Sequence, residues 1–330
     1  MKNKPTIFFT LPHNNPSGGV KVVNEFVNLC IEKGYKSYLC LPSDELKLAS
    51  FLNESAPIIS LEDMTNNSTI NDIIILGWQS KIEYEAVKNS KANIKVLWQH
   101  GILIPNKEED AGDLVYKEKV ISQFWNVSQK CGDFIQEKYN LNNMHIVNPF
   151  FDINKTKMEK SGFLLLNRRG AKYIPKIKEC LKNTNQSLTI LNEPYDSSHF
   201  LNLLKIHKYF ISIDNGLSYS LTWRQRLKGK SLKWIKHDKN YLGFPVPPVE
   251  AALSKTIVIG FAMGGGLEWM TKECMFLSED DNIDDLILKI RSAVNSNKST
   301  LDNMLEIAYI RTLKFNKENS WKQLKSALNI

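Results

Sequence analysis

Leu242-Gly-Phe-Pro-Val-Pro-Pro-Val-Glu-Ala-Ala-Leu-Ser-Lys-Thr-Ile-Val-Ile-Gly260, running on to Gly264-Gly-Gly-Leu-Glu268, decides the fold. It opens as a proline-rich loop. Pro248 to Leu253 then reads as a helix with Glu250 in its first turn. Thr256 to Phe261 reads as a strand, and its apolar run from Ile257 is the signature of burial on both faces, as in a parallel sheet. A glycine triplet with an acid behind it closes the segment. A carboxylate on that first turn is expected to point into an open crevice, where it can accept two hydrogen bonds from vicinal ribose hydroxyls. The alternative is a glutamate favoured only by the helix dipole.

Outward from this segment the same rhythm recurs: apolar run, turn, helical period. That rhythm signals stacked β-α units around parallel sheets. Thr6 to Leu11 reads as a first strand, followed by the turn His13 to Gly19. Val20, Val23, Phe26, Val27, Cys30 and Ile31 then share one helix face, and Gly34 ends it. Strands are expected at 37–41, 57–61, 72–78, 94–100, 124–128 and 145–148, with helices at 80–88 and 130–139. After the polar stretch 153–161 the pattern restarts. Strands are expected at 163–166, 187–191 and 209–213, and helices at 174–182 and 198–205. The helices 285–294, 301–315 and 321–328 close the chain. The expectation is two α/β domains, 1–152 and 162–315, with parallel sheets facing across a cleft. A linker at 153–161 joins them, and a final helical segment, 316–330, packs back on the first domain.

The length of 330 residues agrees with about two domains. Hydrophobic residues make up 42% and charged residues 24%, which excludes a disordered tail or a fibrous chain. No apolar run reaches the ~18 residues of a membrane span. No secretory signal is read at the N-terminus, because the run after Pro5 stops at Pro12 without a small-residue cleavage site. The five cysteines are scattered and form no CxxC pair, so a reduced compartment, the cytoplasm, is expected and a structural zinc is not. Most of the net charge of +8 sits in one place: residues 221–240 hold seven Lys/Arg against one acid. Leu221, Trp223, Leu227, Leu232, Trp234 and Ile235 interleave with those cations. This suits an anionic membrane surface. A solvated loop and a cradle for a phosphate-bearing acceptor are the alternatives. A nucleic-acid surface is not indicated, because the rest of the chain is only weakly basic.

Three further groups carry candidate chemistry. Ser17-Gly18-Gly19-Val20 lies between a strand and a helix N-terminus, where exposed N–H groups and the dipole favour an anion; a plain tight turn is the alternative. His100 ends the strand that begins at Ile94, at the edge of a parallel sheet that faces ligands. A packed strand-end histidine is the alternative. Arg168, Arg169 and Lys172 follow the first strand of the second domain, where three cations suit a pyrophosphate; a solvated basic turn is the alternative. No Asp-x-Asp pair sits at a strand end, so no metal site is expected.

The segment quoted first resembles the donor-binding region of the retaining GT-B glycosyltransferases of family 4, the glycosyl transferases group 1. Those enzymes carry Glu-Gly-Phe-Gly-x-Pro-x-x-Glu-Ala, a strand, then Gly-Gly-x-x-Glu. Pro16 to Val20 resembles the family's first phosphate loop, and Trp98-Gln-His100 its strand-ending histidine. His145 to Pro149 resembles the strand before its linker. Arg168 to Lys172 occupies the place of its Gly-Arg…Lys-Gly turn. The likeness spans most of the chain in the family's order, with two departures. Leu242 stands where the family has its first glutamate, and the insert 214–241 is atypical.

The resemblance implies a GT-B fold with two Rossmann-like domains, 1–152 on the acceptor side and 162–315 on the donor side. It implies transfer of a sugar from a nucleotide diphosphate to a glycan or lipid-linked acceptor, with retention and without metal or other cofactor, in bacterial surface polysaccharide synthesis. His100, Arg168 and Lys172 would be the catalytic residues: His100 on the sugar, the two cations on the leaving diphosphate. Gly18, Gly19, Arg169, Glu250, Gly264, Gly265 and Gly266 would hold the donor. Two rival readings are a GT-B-fold binding protein without catalysis and a nucleotide-sugar epimerase. Free nucleotide diphosphate discriminates among them, because only transfer or hydrolysis releases it.

Overall fold

The computed structural model describes residues 4–15, 17–47, 56–100, 111–112, 114–151, 159–167, 171–182, 184–192, 195–213, 244–262 and 264–330. Arg168, Arg169, Leu242, most of the linker expected at 153–161 and the whole basic insert 214–241 lie outside the described residues. The chain forms two compact units, Met1–Phe150 with Lys317–Ile330, and Phe151–Asn316.

The first unit is built on seven parallel strands: β1 (Ile7–Thr10), β2 (Ser37–Leu41), β3 (Ile58–Ser60), β4 (Ile73–Leu76), β5 (Ile94–Gln99), β6 (Gln123–Asn126) and β7 (Met144–Ile146). Their order is β3-β2-β1-β4-β5-β6-β7. β1 and β4 are buried at every position, which is why they read as unbroken apolar runs rather than alternations. The chain builds outward from β1 in one direction, returns, and builds outward in the other. Strand order therefore reverses between β1 and β4, paired from Ile7↔Ile73 to Thr10↔Leu76, and ligands bind beyond strand C-termini at such a reversal.

The last helix, Lys317–Leu328, belongs to this first unit. Lys317 bonds Glu32, and the Trp321 and Tyr35 ring centroids lie 5.8 Å apart. Asn148 and Gln323 exchange two hydrogen bonds of 2.8 Å.

The second unit has five parallel strands: β8 (Phe163–Asn167), β9 (Leu188–Asn192), β10 (Tyr209–Ser212), β11 (Ile257–Phe261) and β12 (Phe276–Ser278), in the order β12-β11-β10-β8-β9. The reversal here falls between β8 and β10. β8 ends at Asn167, and the described residues resume at Ala171.

Several short elements escape the periodicity, among them the helix Leu114–Lys117, β12 and the helix Leu61–Asn67. β12 is three residues long, too short for a pattern. The helix Leu61–Asn67 buries only Leu61 and Met64, and its polar residues read as a loop. It is fixed by its start: Ser60 Oγ accepts from Asp63 N at 2.9 Å and donates to Asp63 Oδ2 at 2.7 Å.

The helix that carries Glu250 corrects two expectations. It spans Val246–Leu253, with proline at its first positions, where a missing N–H costs nothing. Glu250 therefore lies beyond the first turn. It is also only 5% exposed, not in an open crevice. The sequence Val-Pro-Pro-Val-Glu-Ala-Ala-Leu is apolar almost all round, and such a helix is covered on every side.

Candidate functional site

At the C-terminal edge of the first sheet, β1 and β4 end in close contact. Gly77 N donates to Thr10 O at 3.1 Å, and a Cβ on Gly77 would lie 2.6 Å from that oxygen. Glycine is required there, and Trp78 follows it. Thr10 Oγ1 donates to Glu83 Oε1 at 2.8 Å, and Ser80 Oγ to Glu83 Oε2 at 2.8 Å. The helix Lys81–Asn89 is thus bolted to the end of β1 through a buried carboxylate.

The helix Gly18–Glu32 begins beside this point. Ser17 caps it, its Oγ accepting from Val20 N at 3.2 Å. A Cβ on Gly19 would lie 3.3 Å from Trp78 Cζ3 and 3.8 Å from His100 Cβ. The helix end, the positive terminus of its dipole, is seated against both rings.

His100 stands one residue past β5. The residue keeps some surface, but its Nε2 is sealed from solvent and has no hydrogen-bond partner among the described residues. Burial pushes the imidazole down to about 3. The ring is therefore neutral at neutral pH, with one nitrogen a donor and the other an acceptor. It packs on Trp98 with centroids 4.4 Å apart, and the His13 ring lies 5.9 Å from that of Trp78. The structure thus brings Gly19, His100, Trp78 and His13 together, with Gly18 opening the same helix.

In the second unit, Gly264–Glu268 forms a tight 3-10 turn, and Gly264, Gly265 and Gly266 are all buried in it. A Cβ on Gly266 would lie 2.5 Å from Met270 Sδ and 2.8 Å from Pro245 Cγ. The glycine turn is thus packed on the residue that starts the Glu250 helix. Glu268, behind it, reaches Lys314 at 3.6 Å.

Lys172 lies in the short turn Ala171–Tyr173. Its Nζ lies 2.5 Å from Asp281 Oδ1, a bond that raises its pKa, and Tyr173 also bonds Asp281. The Lys172 side chain is 60% exposed, so the ion pair itself contributes little to stability. Tyr173 packs edge-on against Phe261, with centroids 5.6 Å apart, which anchors the turn at the end of β11.

The sequence reading missed Trp78, Gln99 and Asn126. Gln99 and Asn126 face one another across β5 and β6, and Gln99 Oε1 and Asn126 Nδ2 are both buried without a partner. The available signal was a tryptophan two residues beyond an Ile-Ile-Ile-Leu run. Among the described residues no group of three or more His, Cys, Asp or Glu side chains is placed to hold a metal ion.

No family model and no curated protein matches the sequence. Solved structures match the fold over nearly its whole length. A mutant of S. aureus TarM, in complex with fondaparinux, alpha-GlcNAc-glycerol and UDP, aligns with a TM-score of 0.72 at 9% identity, over 99% of this chain and 100% of that one. A glycosyltransferase from Rickettsia africae aligns with a TM-score of 0.66 at 16% identity, over 99% of each chain. Anabaena HepE, in complex with UDP and glucose, gives 0.67 at 12%, over 98% of this chain and 99% of that one. The fold is GT-B. At these identities the likeness establishes the fold alone. The GT-B frame accounts for the strand-order reversal in each unit and for the return of Lys317–Leu328 to the first.

Proposed function

We propose that this GT-B chain is a retaining, metal-independent glycosyltransferase of the family 4 type. It moves a sugar from a UDP-type donor to a glycan or lipid-linked acceptor in surface polysaccharide synthesis. The observation that carries the reading is the packing of the buried glycine turn on Pro245, which brings it to the start of the Glu250 helix. A side-chain-free turn packed on the start of the helix that carries Glu250 suits a nucleoside diphosphate, with Glu250 for its ribose. UDP is the nucleotide bound by the aligned TarM and HepE structures. In this reading the second unit takes the donor and the first takes the acceptor. Arg168, Arg169 and Lys172 counter the charge that develops on the leaving diphosphate. His100 hydrogen-bonds a sugar hydroxyl as a neutral ring. A departing phosphate oxygen takes the acceptor proton on the same face as the attack, which retains configuration without an enzymic nucleophile.

The test is calorimetry with UDP and UDP-sugars, with EDTA present throughout. Wild type should bind and, given acceptor, release free UDP. Glu250→Gln keeps the side-chain volume and should weaken UDP by about tenfold or more, near the ~1.5 kcal/mol of a hydrogen bond to a charged group. Unchanged affinity in that variant, or a strict need for Mn²⁺ or Mg²⁺, would overturn the assignment. Tight UDP binding without release would favour the non-catalytic reading, for which Leu242 in place of the family's first glutamate is the supporting observation.

We also place residues 221–240 on an anionic lipid surface, on the strength of their seven cations and two tryptophans. Among the described residues no helix is long and apolar enough to cross a membrane. Wild type should pellet with anionic vesicles in low salt. A variant with Arg224, Arg226, Lys228, Lys230 and Lys233 changed to Ser should stay in solution, and equal pelleting of the two would remove the surface role.

A further inference from the structure

We propose that Trp78 is the stacking platform of a saccharide subsite on the first unit, the place where the acceptor sugar rests. The proposal builds on the glycosyltransferase reading and adds to it a residue and a binding mode. Trp78 stands just past the C-terminal end of β4, at the point where strand order reverses and ligands collect in such sheets. Its backbone is rigidly mounted. Gly77 bonds Thr10 O at 3.1 Å and leaves no room for a side chain, so the indole projects from a turn that cannot shift.

Its position at the strand ends distinguishes it among the described tryptophans. Trp98, Trp125 and Trp269 are fully buried core residues. Trp321, partly buried like Trp78, sits on the last helix and packs on Tyr35. Trp78 is half-buried at the ligand edge, touched along Cζ3 by the start of the helix Gly18–Glu32 and flanked by His13. A large aromatic side chain left partly open at such an edge costs hydrophobic burial that a core position would provide.

The surroundings match one ligand chemistry. A pyranose ring carries an apolar face of C–H groups and a rim of hydroxyls. The indole face is electron-rich and attracts polarised C–H groups. The rim needs groups that both donate and accept. His100 offers a neutral ring whose buried Nε2 lacks a partner among the described residues, and it lies at the same helix end as Trp78. The His13 ring lies near the indole, tilted to it, with centroids 5.9 Å apart. An apolar platform with a few fixed polar groups at its margin is the usual construction of a small-ligand site. A nucleobase would also stack on indole, and the experiment separates the two.

Saturation-transfer NMR with methyl β-D-glucopyranoside, methyl β-D-galactopyranoside and methyl N-acetyl-β-D-glucosaminide tests the subsite. Calorimetry with UDP and the thermal midpoint are followed in parallel. In wild type, saturation should reach at least one glycoside, strongest at the C–H groups of one ring face. Trp78→Ala should weaken that glycoside by about tenfold, near the top of the range for an aromatic contact. UDP affinity should stay within about twofold, because the donor lies on the other unit. Trp78→Phe, the safer variant for folding, should retain the same face selectivity with weaker binding. Full glycoside binding by a folded Trp78→Ala or, should that variant not fold, by Trp78→Phe overturns the proposal. So does a parallel loss of UDP affinity in a folded variant, which would make Trp78 a base platform. Wild type that binds UDP and no glycoside overturns the subsite and leaves the glycosyltransferase reading standing. Wild type that binds neither overturns both.

Discussion

Gly260→Ala is expected to cost the second unit more than about 3 kcal/mol, from backbone strain of ~1–3 kcal/mol added to steric overlap of similar size. Gly260 has φ of +135°, a region that side chains exclude, and it pairs with Ser212 across β10 and β11. A Cβ there would lie 2.0 Å from Ser212 O and 2.9 Å from its carbonyl carbon. Both are backbone atoms, so no rotamer relieves the overlap and the two strands must part at their C-terminal ends. That edge leads from β10 into the basic insert and from β11 into the glycine turn. A variant that still folds should therefore lose UDP affinity as well as stability. Urea denaturation reads the first effect and calorimetry the second. A midpoint equal to wild type would show that the strands part without cost, and the close pairing would then not hold this edge together.

Much of this frame was legible in the chain, for a physical reason. Parallel strands covered on both faces must be apolar throughout, so Ile73-Ile-Ile-Leu76 and Ile257 to Phe261 announce themselves locally. The helix Gly18–Glu32 declares itself through the period of Val20, Val23, Val27 and Cys30, with Ser17 as its cap. What escaped depends on partners distant in sequence. Glu250, read as a first-turn ligand for ribose hydroxyls, is expected in an open crevice. Its burial follows from the apolar sequence on every side of its helix, which other elements must cover. The helix Leu61–Asn67 buries two side chains and leaves no stripe to read. Trp78 looked like the tail of a strand; only the approach of Gly19 from 59 residues earlier makes it part of a site. The Lys172–Asp281 pair joins turns 109 residues apart, and no spacing rule reaches that far.

His100→Ala is expected to lower turnover by about 100-fold, the scale of losing one preorganised donor at a reacting centre. His100→Gln, which keeps a hydrogen-bonding amide, should recover part of it. The His100 Nε2 is sealed and without a partner among the described residues, beside the N-terminal end of the helix Gly18–Glu32. An unpaired buried polar atom is costly, and a ligand that bonds it recovers that cost only when correctly placed. The ring's protonation makes the idea separable from ordinary acid–base catalysis. Burial lowers the imidazole from its ordinary value of 6.5 to about 3. Turnover should therefore show no limb near pH 6.5 that vanishes in His100→Gln, whereas a histidine acting as general base would produce one. Stability carries the opposite sign of dependence. Between pH 6.5 and about 3 the unfolded chain binds a proton at this position and the folded one does not. The contribution of His100 is thus complete above pH 6.5 and is lost as pH falls toward 3. Wild type should accordingly lose more stability than His100→Gln over that window. Equal losses in the two proteins would mean that the imidazole takes up a proton in the folded state, and a neutral hydrogen-bonding role would be excluded.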